Sequence, residues 1–178
     1  SRAWVRVHSA LWAKVLGVAL FAVATALSAR VRVFLPFSPV PLTLQVLIVV
    51  LSGFILGPWG GLVAQGAYLQ AILLGAPYTA SGLSGLAAFA SPTAGYLLSF
   101  PLAAFAAGWF SQRIQPNAFW RALGGLAALA LIYLGGMAWL SAFVGGLSAA
   151  WKLGVAPFIV ADLLKVPIAV AALSARRR

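Results

Sequence analysis

Asp162 is the single acidic residue of this 178-residue chain, and Lys165 follows it by three positions. At helical spacing the two side chains share one face, with Cβ atoms roughly 5–6 Å apart. The stretch around them, residues 157–174, is otherwise apolar and closes on three arginines. Counted from Pro157, Asp162 lies about 9 Å along such a helix. Charge at membrane depth is costly unless it is paired or meets water. A buried ion pair adds little stability compared with apolar replacements. The pair therefore reads as a ligand-binding feature, with a structural tether for its helix as the alternative.

Fewer choices exist elsewhere. Residues 78–85, Tyr-Thr-Ala-Ser-Gly-Leu-Ser-Gly, form the most polar stretch away from the termini. Its glycines and serines can offer N–H groups and hydroxyls to an anion or amide, or make a plain loop. Gln45, Gln65 and Gln70 fall within apolar runs, where amides line pockets or bond between helices. His8 precedes the first apolar run and reads as interfacial. Trp4, Trp12, Trp59 and Trp109 lie near run ends, as aromatic belts do.

Catalysis finds no equipment in this set. One carboxylate cannot form an aspartyl dyad, and one histidine with no cysteine leaves no zinc site. Ser84 has no histidine base, and no GxxxxGK[ST] loop exists for ATP. The chain is read as a binding or transport protein, not an enzyme, with no metal and no cofactor.

The elements that position these residues follow from composition. Hydrophobic residues make up 63% of the chain and charged residues 7%, against about 25% charged in soluble domains. The expectation is an all-α integral membrane protein, a single transmembrane domain over residues 1–178. Six apolar runs are long enough, or nearly so, to span: 9–29, 43–56, 61–74, 92–110, 119–144 and 157–174. The second and third are short and joined by Gly57-Pro58-Trp59-Gly60, which predicts a tight hairpin. The first run reads as a helix rather than a cleaved signal.

Net charge is +11, but the basic residues flank apolar runs, so they read as topology signals and nucleic acid is not an expected partner. With the N-terminus inside, the inner segments hold eight basic residues: Arg2, Arg6, Lys14, Arg113, Arg121, Arg176, Arg177 and Arg178. The outer loops hold three, Arg30, Arg32 and Lys152. This favours both termini inside, with residues 31–42, 75–91 and the loop near Lys152 outside. Asp162 then falls in the outer half. Small residues four apart, Gly53, Gly57, Gly61 and the pair Ala22, Ala26, permit close helix contact, either within the chain or with another membrane subunit.

Four blocks in order resemble one family. They are Pro39-Val40-Pro41-Leu42-Thr43-Leu44-Gln45, Gly53-x-x-Leu56-Gly57-Pro58, Ser91-Pro92-Thr93-Ala94-Gly95-Tyr96-Leu97 and Pro157-Phe158-x-x-x-Asp162-Leu163-Leu164-Lys165. Together, over about residues 20–170, they are similar to the BioY family, the biotin-binding substrate subunits of energy-coupling-factor (ECF) transporters. Two departures stand out: Ala80-Ser81-Gly82-Leu83-Ser84-Gly85 replaces a usual glycine run, and Ala94-Gly95-Tyr96 a usual Gly-Gly-Tyr.

The resemblance implies six helices, both termini cytoplasmic, in the cell membrane of a prokaryote. It implies a biotin pocket under the first and third loops, with Asp162, Lys165, Ser81, Ser84, Gly85, Tyr96 and Gln45 as binding residues. It also implies partners: a transmembrane coupling subunit, which Ala22 and Ala26 would face, and two ABC-type ATPases. A carboxylate at Asp162 suits the ureido N–H donors of biotin. Lys165 would serve the ureido carbonyl or, with its flexible stem, the tail carboxylate, which Ser81, Ser84 or backbone N–H groups would otherwise hold. A subunit for another vitamin and a non-transporting scaffold are the alternative functions.

Overall fold

The computed structural model describes residues 2–114 and 117–175, and side chains within 11–112 and 117–174. The side chains of Arg2, Trp4, Arg6, His8 and Arg113, and all of Arg176, Arg177 and Arg178, lie outside that description.

Helix α1 (Arg2–Ser28) leads to a short antiparallel ladder, β1 (Arg32–Val33) on β2 (Leu42–Thr43), with Arg32 opposite Thr43. Helices α2 (Gln45–Leu73), α3 (Gly85–Phe89) and α4 (Ala94–Trp109) follow, and α4 runs into a π-helical turn, Phe110–Ile114. The chain ends in α5 (Ala118–Val144), α6 (Leu147–Gly154) and α7 (Ile159–Ala175). The Asn117 side chain caps α5 by accepting from the Trp120 N–H at 3.0 Å, and Gly145 closes it at φ 86°.

Helix α2 is not straight. Gly57 has φ 78° and ψ −179°, a conformation outside the helix that glycine adopts without steric cost. Pro58 follows with no N–H, so the Phe54 carbonyl lacks its ordinary i+4 donor. Gln112 Nε2 supplies that donor at 2.8 Å. Beyond the break the chain doubles back. Gln65 Nε2 donates to Ser52 Oγ at 3.1 Å and Gln45 Nε2 to the Tyr68 hydroxyl at 2.7 Å. A straight helix would hold those pairs roughly 20 and 35 Å apart. The runs at 43–56 and 61–74 are thus the two arms of one reversed element, and Thr43 belongs to β2 rather than to the helix.

Glycine packs this hairpin against α4. A Cβ on Gly53 would lie 2.2 Å from the Ala104 carbonyl oxygen, and one on Gly108 would lie 2.5 Å from the Gly57 carbonyl carbon. Gly61 meets Gly53 itself. The Gly53, Gly57, Gly61 series is consumed inside the chain. The buried layer around it holds Val49, Val50, Phe54, Ile72, Phe100 and Leu129. Outward faces carry exposed Leu16, Leu20, Leu134 and Ile168, the pattern expected of lipid-facing helices.

Among the described residues, four helical segments are long and apolar enough to cross a membrane: Leu11–Ser28, Gln45–Leu73, Ala94–Gln112 and Ala118–Val144. Helices α6 and α7, bent by 58° at their junction, make a fifth if taken together. This count is lower than six because α2 carries two of the expected runs and α7 alone has 17 residues. Three further differences concern local structure. Pro92 sits in the turn before α4, the region near Lys152 is helix α6, and the β1–β2 ladder was not expected. Two-residue strands leave no period for a sequence to show.

Candidate functional site

Helix α7 begins just after the bend, and Asp162 lies in its first turn. A carboxylate there is favoured by the helix dipole. Its side chain is 5% exposed and its Oδ1 accepts from Lys165 Nζ at 2.5 Å. Lys165 Nζ also donates to the Thr43 carbonyl at 2.5 Å, which ties α7 to β2. Oδ2 accepts from the Tyr133 hydroxyl of α5 at 2.7 Å. The carboxylate thus joins α5 to α7, and its lysine partner joins α7 to β2.

A cavity opens over this group. Its walls include Thr43, Gln45, Val46, Ala80, Thr93, Tyr96, Leu97, Phe100, Ile132, Tyr133, Phe158 and Asp162. Most of that surface is apolar, with a few convergent polar groups, the usual character of a small-molecule site. Tyr96 is positioned by two glycines: a Cβ on Gly136 would lie 2.2 Å from its ring, and one on Gly154 2.2 Å from its hydroxyl. The hydroxyl donates to the Gly154 carbonyl at 2.8 Å. Gln45 is held through Tyr68, whose hydroxyl passes on to the Tyr78 carbonyl at 3.0 Å.

The segment 75–84 meets this cavity at Ala80 and is pinned by its carbonyls. Arg30 Nη2 donates to the Pro77 carbonyl at 2.9 Å, Tyr68 to that of Tyr78, and Arg32 Nη1 to that of Ala80. Arg30 also sits over the Tyr78 ring, 5.3 Å from its centroid. The 31–44 segment is fastened in turn to α6, where Ser38 Oγ donates to the Leu153 carbonyl at 2.6 Å.

Of the residues singled out above, Asp162, Tyr96 and Gln45 line the cavity and Lys165 is bonded to its floor. Ser81, Ser84 and Gly85 do not line it; only Ala80 of their segment does. Ser81 Oγ lies 3.3 Å from Thr79 Oγ1, and Ser84 and Gly85 start α3. The bulk of the loop thus stands outside the wall. Ala22 and Ala26 are partly buried on the core and line a separate apolar groove with Tyr68, Ile72 and Tyr78. Gln65 bonds Thr25 and Ser52, bridging α1 to the hairpin, and Gln70 is exposed.

Tyr133 was missed, along with Thr43 and the two loop arginines. A signal for Tyr133 existed: it lies in the middle of a long apolar run, whereas belt tyrosines sit at the ends.

Comparisons with known proteins fit this geometry. The chain matches the BioY family over residues 5–178. The probable biotin transporter BioY of Pyrococcus horikoshii is 42% identical, over 86% of this chain and 89% of that protein. The biotin transporter BioY of Thermotoga maritima is 37% identical, over 76% and 79%. Among solved structures, the crystal structure of the S-component for biotin from an ECF-type ABC transporter aligns with a TM-score of 0.86. It covers 96% of this chain and 94% of its own at 24% identity, a likeness of fold.

Proposed function

The chain belongs to the BioY family, and from that premise we propose that it binds biotin as the substrate-specific subunit of an ECF-type vitamin transporter. The observation that carries this reading is the single acid of the chain in the cavity wall, paired there with Lys165. A cyclic urea presents an N–H beside its carbonyl, a donor next to an acceptor. Asp162 and Lys165 offer the complementary acceptor and donor. Lys165 serves the head rather than the tail, because its ammonium is already held at Asp162 and the Thr43 carbonyl. Tyr96 and Phe100 supply apolar wall for the thioether ring, and Gln45 a further amide. The tail leaves past Ala80 toward the mouth, where Ser81, Ser84, Gly85 and the cation of Arg32 are the proposed partners of its carboxylate.

The protein's work is binding and translocation, not catalysis. We place it in the cytoplasmic membrane of a prokaryote, with six crossings made by α1, the two arms of α2, α4, α5 and α7, and with both termini inside. The chain has no phosphate-binding loop, so energy comes from partners: a transmembrane coupling subunit and two ABC-type ATPases. Ala22 and Ala26, beside an open apolar groove, are the proposed contact with the coupling subunit.

The test is a titration of the detergent-purified protein with biotin and a panel of other vitamins, beside Asp162→Asn. Charge-assisted bonds contribute roughly 1.5–3 kcal/mol each, so the variant should bind biotin about 10- to 150-fold more weakly. Undiminished binding by Asp162→Asn removes the head-group assignment. A folded protein that ignores biotin removes the substrate, and one that takes another vitamin instead identifies a sibling subunit.

A further inference from the structure

The Asp162 carboxylate is held from two directions. Lys165 reaches Oδ1 from the same helix, one turn on, while Tyr133 reaches Oδ2 from α5. A carboxylate turns about its last side-chain bond in a broad, roughly two-fold well. The lysine anchors Oδ1, its ammonium held also at the Thr43 carbonyl, and its flexible stem can follow as Oδ2 swings. A phenol on a different helix does not follow. Its ring is stiff, its hydroxyl has one length to reach, and its 2.7 Å bond fixes the plane of the carboxylate relative to α5.

That plane matters because Tyr133 and Asp162 both line the cavity. Each carboxylate oxygen accepts more than one donor, and each here has one donor from the protein. The remaining capacity serves a ligand only if it faces the cavity.

We propose that Tyr133 is a positioning residue for ligand recognition: its hydroxyl sets the Asp162 carboxylate so that it accepts an N–H from a cyclic-urea head group. This rests on the biotin reading and goes beyond it by naming what orients the acceptor. Tyr133 thereby fixes how strongly the site prefers a ring nitrogen bearing hydrogen over the same nitrogen methylated. A purely structural tyrosine, satisfying its hydroxyl on the nearest acceptor, sets no such preference.

The experiment is a binding cycle on the purified full chain: wild type, Tyr133→Phe, Asp162→Asn and the double variant. Each is titrated with biotin and with biotin methylated on a ureido nitrogen, and ligand-free thermal unfolding is recorded. Lys165 still holds Oδ1 in Tyr133→Phe, so that variant should stay folded, with an unfolding temperature lowered by the one bond lost at a buried carboxylate. Its biotin affinity should fall about 10- to 100-fold, the scale of one hydrogen bond to a charged group. In the Asp162→Asn background the same change should cost less than about threefold, because a group acting through the carboxylate has nothing left to orient. The preference for biotin over its methylated analogue should shrink in Tyr133→Phe. Wild-type affinity in Tyr133→Phe, a full loss added on top of Asp162→Asn, or an unchanged preference overturns the role of Tyr133. A wild-type protein that binds no biotin overturns the biotin reading and this inference together, a result distinct from the first three.

Discussion

Replacing Lys165 with methionine preserves most of the side-chain length and removes its charge. Asp162 then keeps its carboxylate in a site where its side chain is 5% exposed, with Tyr133 as the remaining donor. The Thr43 carbonyl loses its bond at the same time. Breaking a buried pair from one side costs about 3–5 kcal/mol, because a charge is left without compensation, whereas neutralising both partners costs far less. For a chain of this length each kcal/mol lowers the unfolding temperature by about 2–4 °C. Lys165→Met should therefore unfold about 6–20 °C below wild type. Adding Asp162→Asn should restore most of that loss, although neither variant should bind biotin at wild-type strength. Seven tryptophans make intrinsic fluorescence a convenient probe of unfolding in detergent, with ligand absent. A Lys165→Met protein within about 2 °C of wild type, where a buried uncompensated charge demands more, would show that the pair is not buried as described. A double variant less stable than the single one would refute the argument from uncompensated charge.

Two other substitutions separate the cavity from the scaffold. A Cβ at Gly136 would fall 2.2–2.4 Å from three Tyr96 ring atoms, so the ring must retreat by about 1.5 Å to reach ordinary contact distance. Gly136→Ala should then lose the Tyr96 bond to Gly154 and weaken biotin binding at least tenfold, measured by titration; unchanged affinity would remove Tyr96 from the site. Gln112→Leu deprives the Phe54 carbonyl of its donor at the far end of the α2 hairpin. It should lower stability by about 1–3 kcal/mol and leave the biotin affinity untouched, and a changed affinity would show that the hairpin tip and the cavity are coupled.

The membrane class and the helical runs were legible because apolar length and composition are local properties. So was the pairing of Asp162 with Lys165, which their spacing of three puts on one helix face. The reversal at Gly57 was visible as a Gly-Pro interruption. What escaped was pairing across distance. Nothing in the local sequence says that Gln112 will supply the donor Pro58 removed, or that Arg32 will hold a carbonyl 48 residues away. Ser81 and Ser84 stand out by type and by their place in a polar outer loop, yet their side chains do not line the cavity. Their segment is instead held by its backbone carbonyls, a role for which side-chain identity gives no signal. Tyr133 lay between these cases, conspicuous in position but with its partner 29 residues on.

Several polar groups of this bundle converge on the segments 31–44 and 75–84, while Gln65 and Gln112 bond within the helical scaffold. Lys165 joins the carboxylate on α7 to the Thr43 carbonyl of β2. Gln45, in the cavity wall, joins through Tyr68 to the Tyr78 carbonyl. Arg32, opposite Thr43 in the ladder, joins the first segment to the second at Ala80. A ligand that bonds Asp162 or Gln45 thus competes with, or adds to, bonds that also hold the cover in place. In a low-dielectric interior such bonds are strong, and leaving one unmade is costly. The bonds of the cavity wall and of these two segments therefore form connected chains rather than isolated pairs. Glycine-mediated contact between α2 and α4 is close backbone packing, with no room for an added side chain at Gly53 or Gly108.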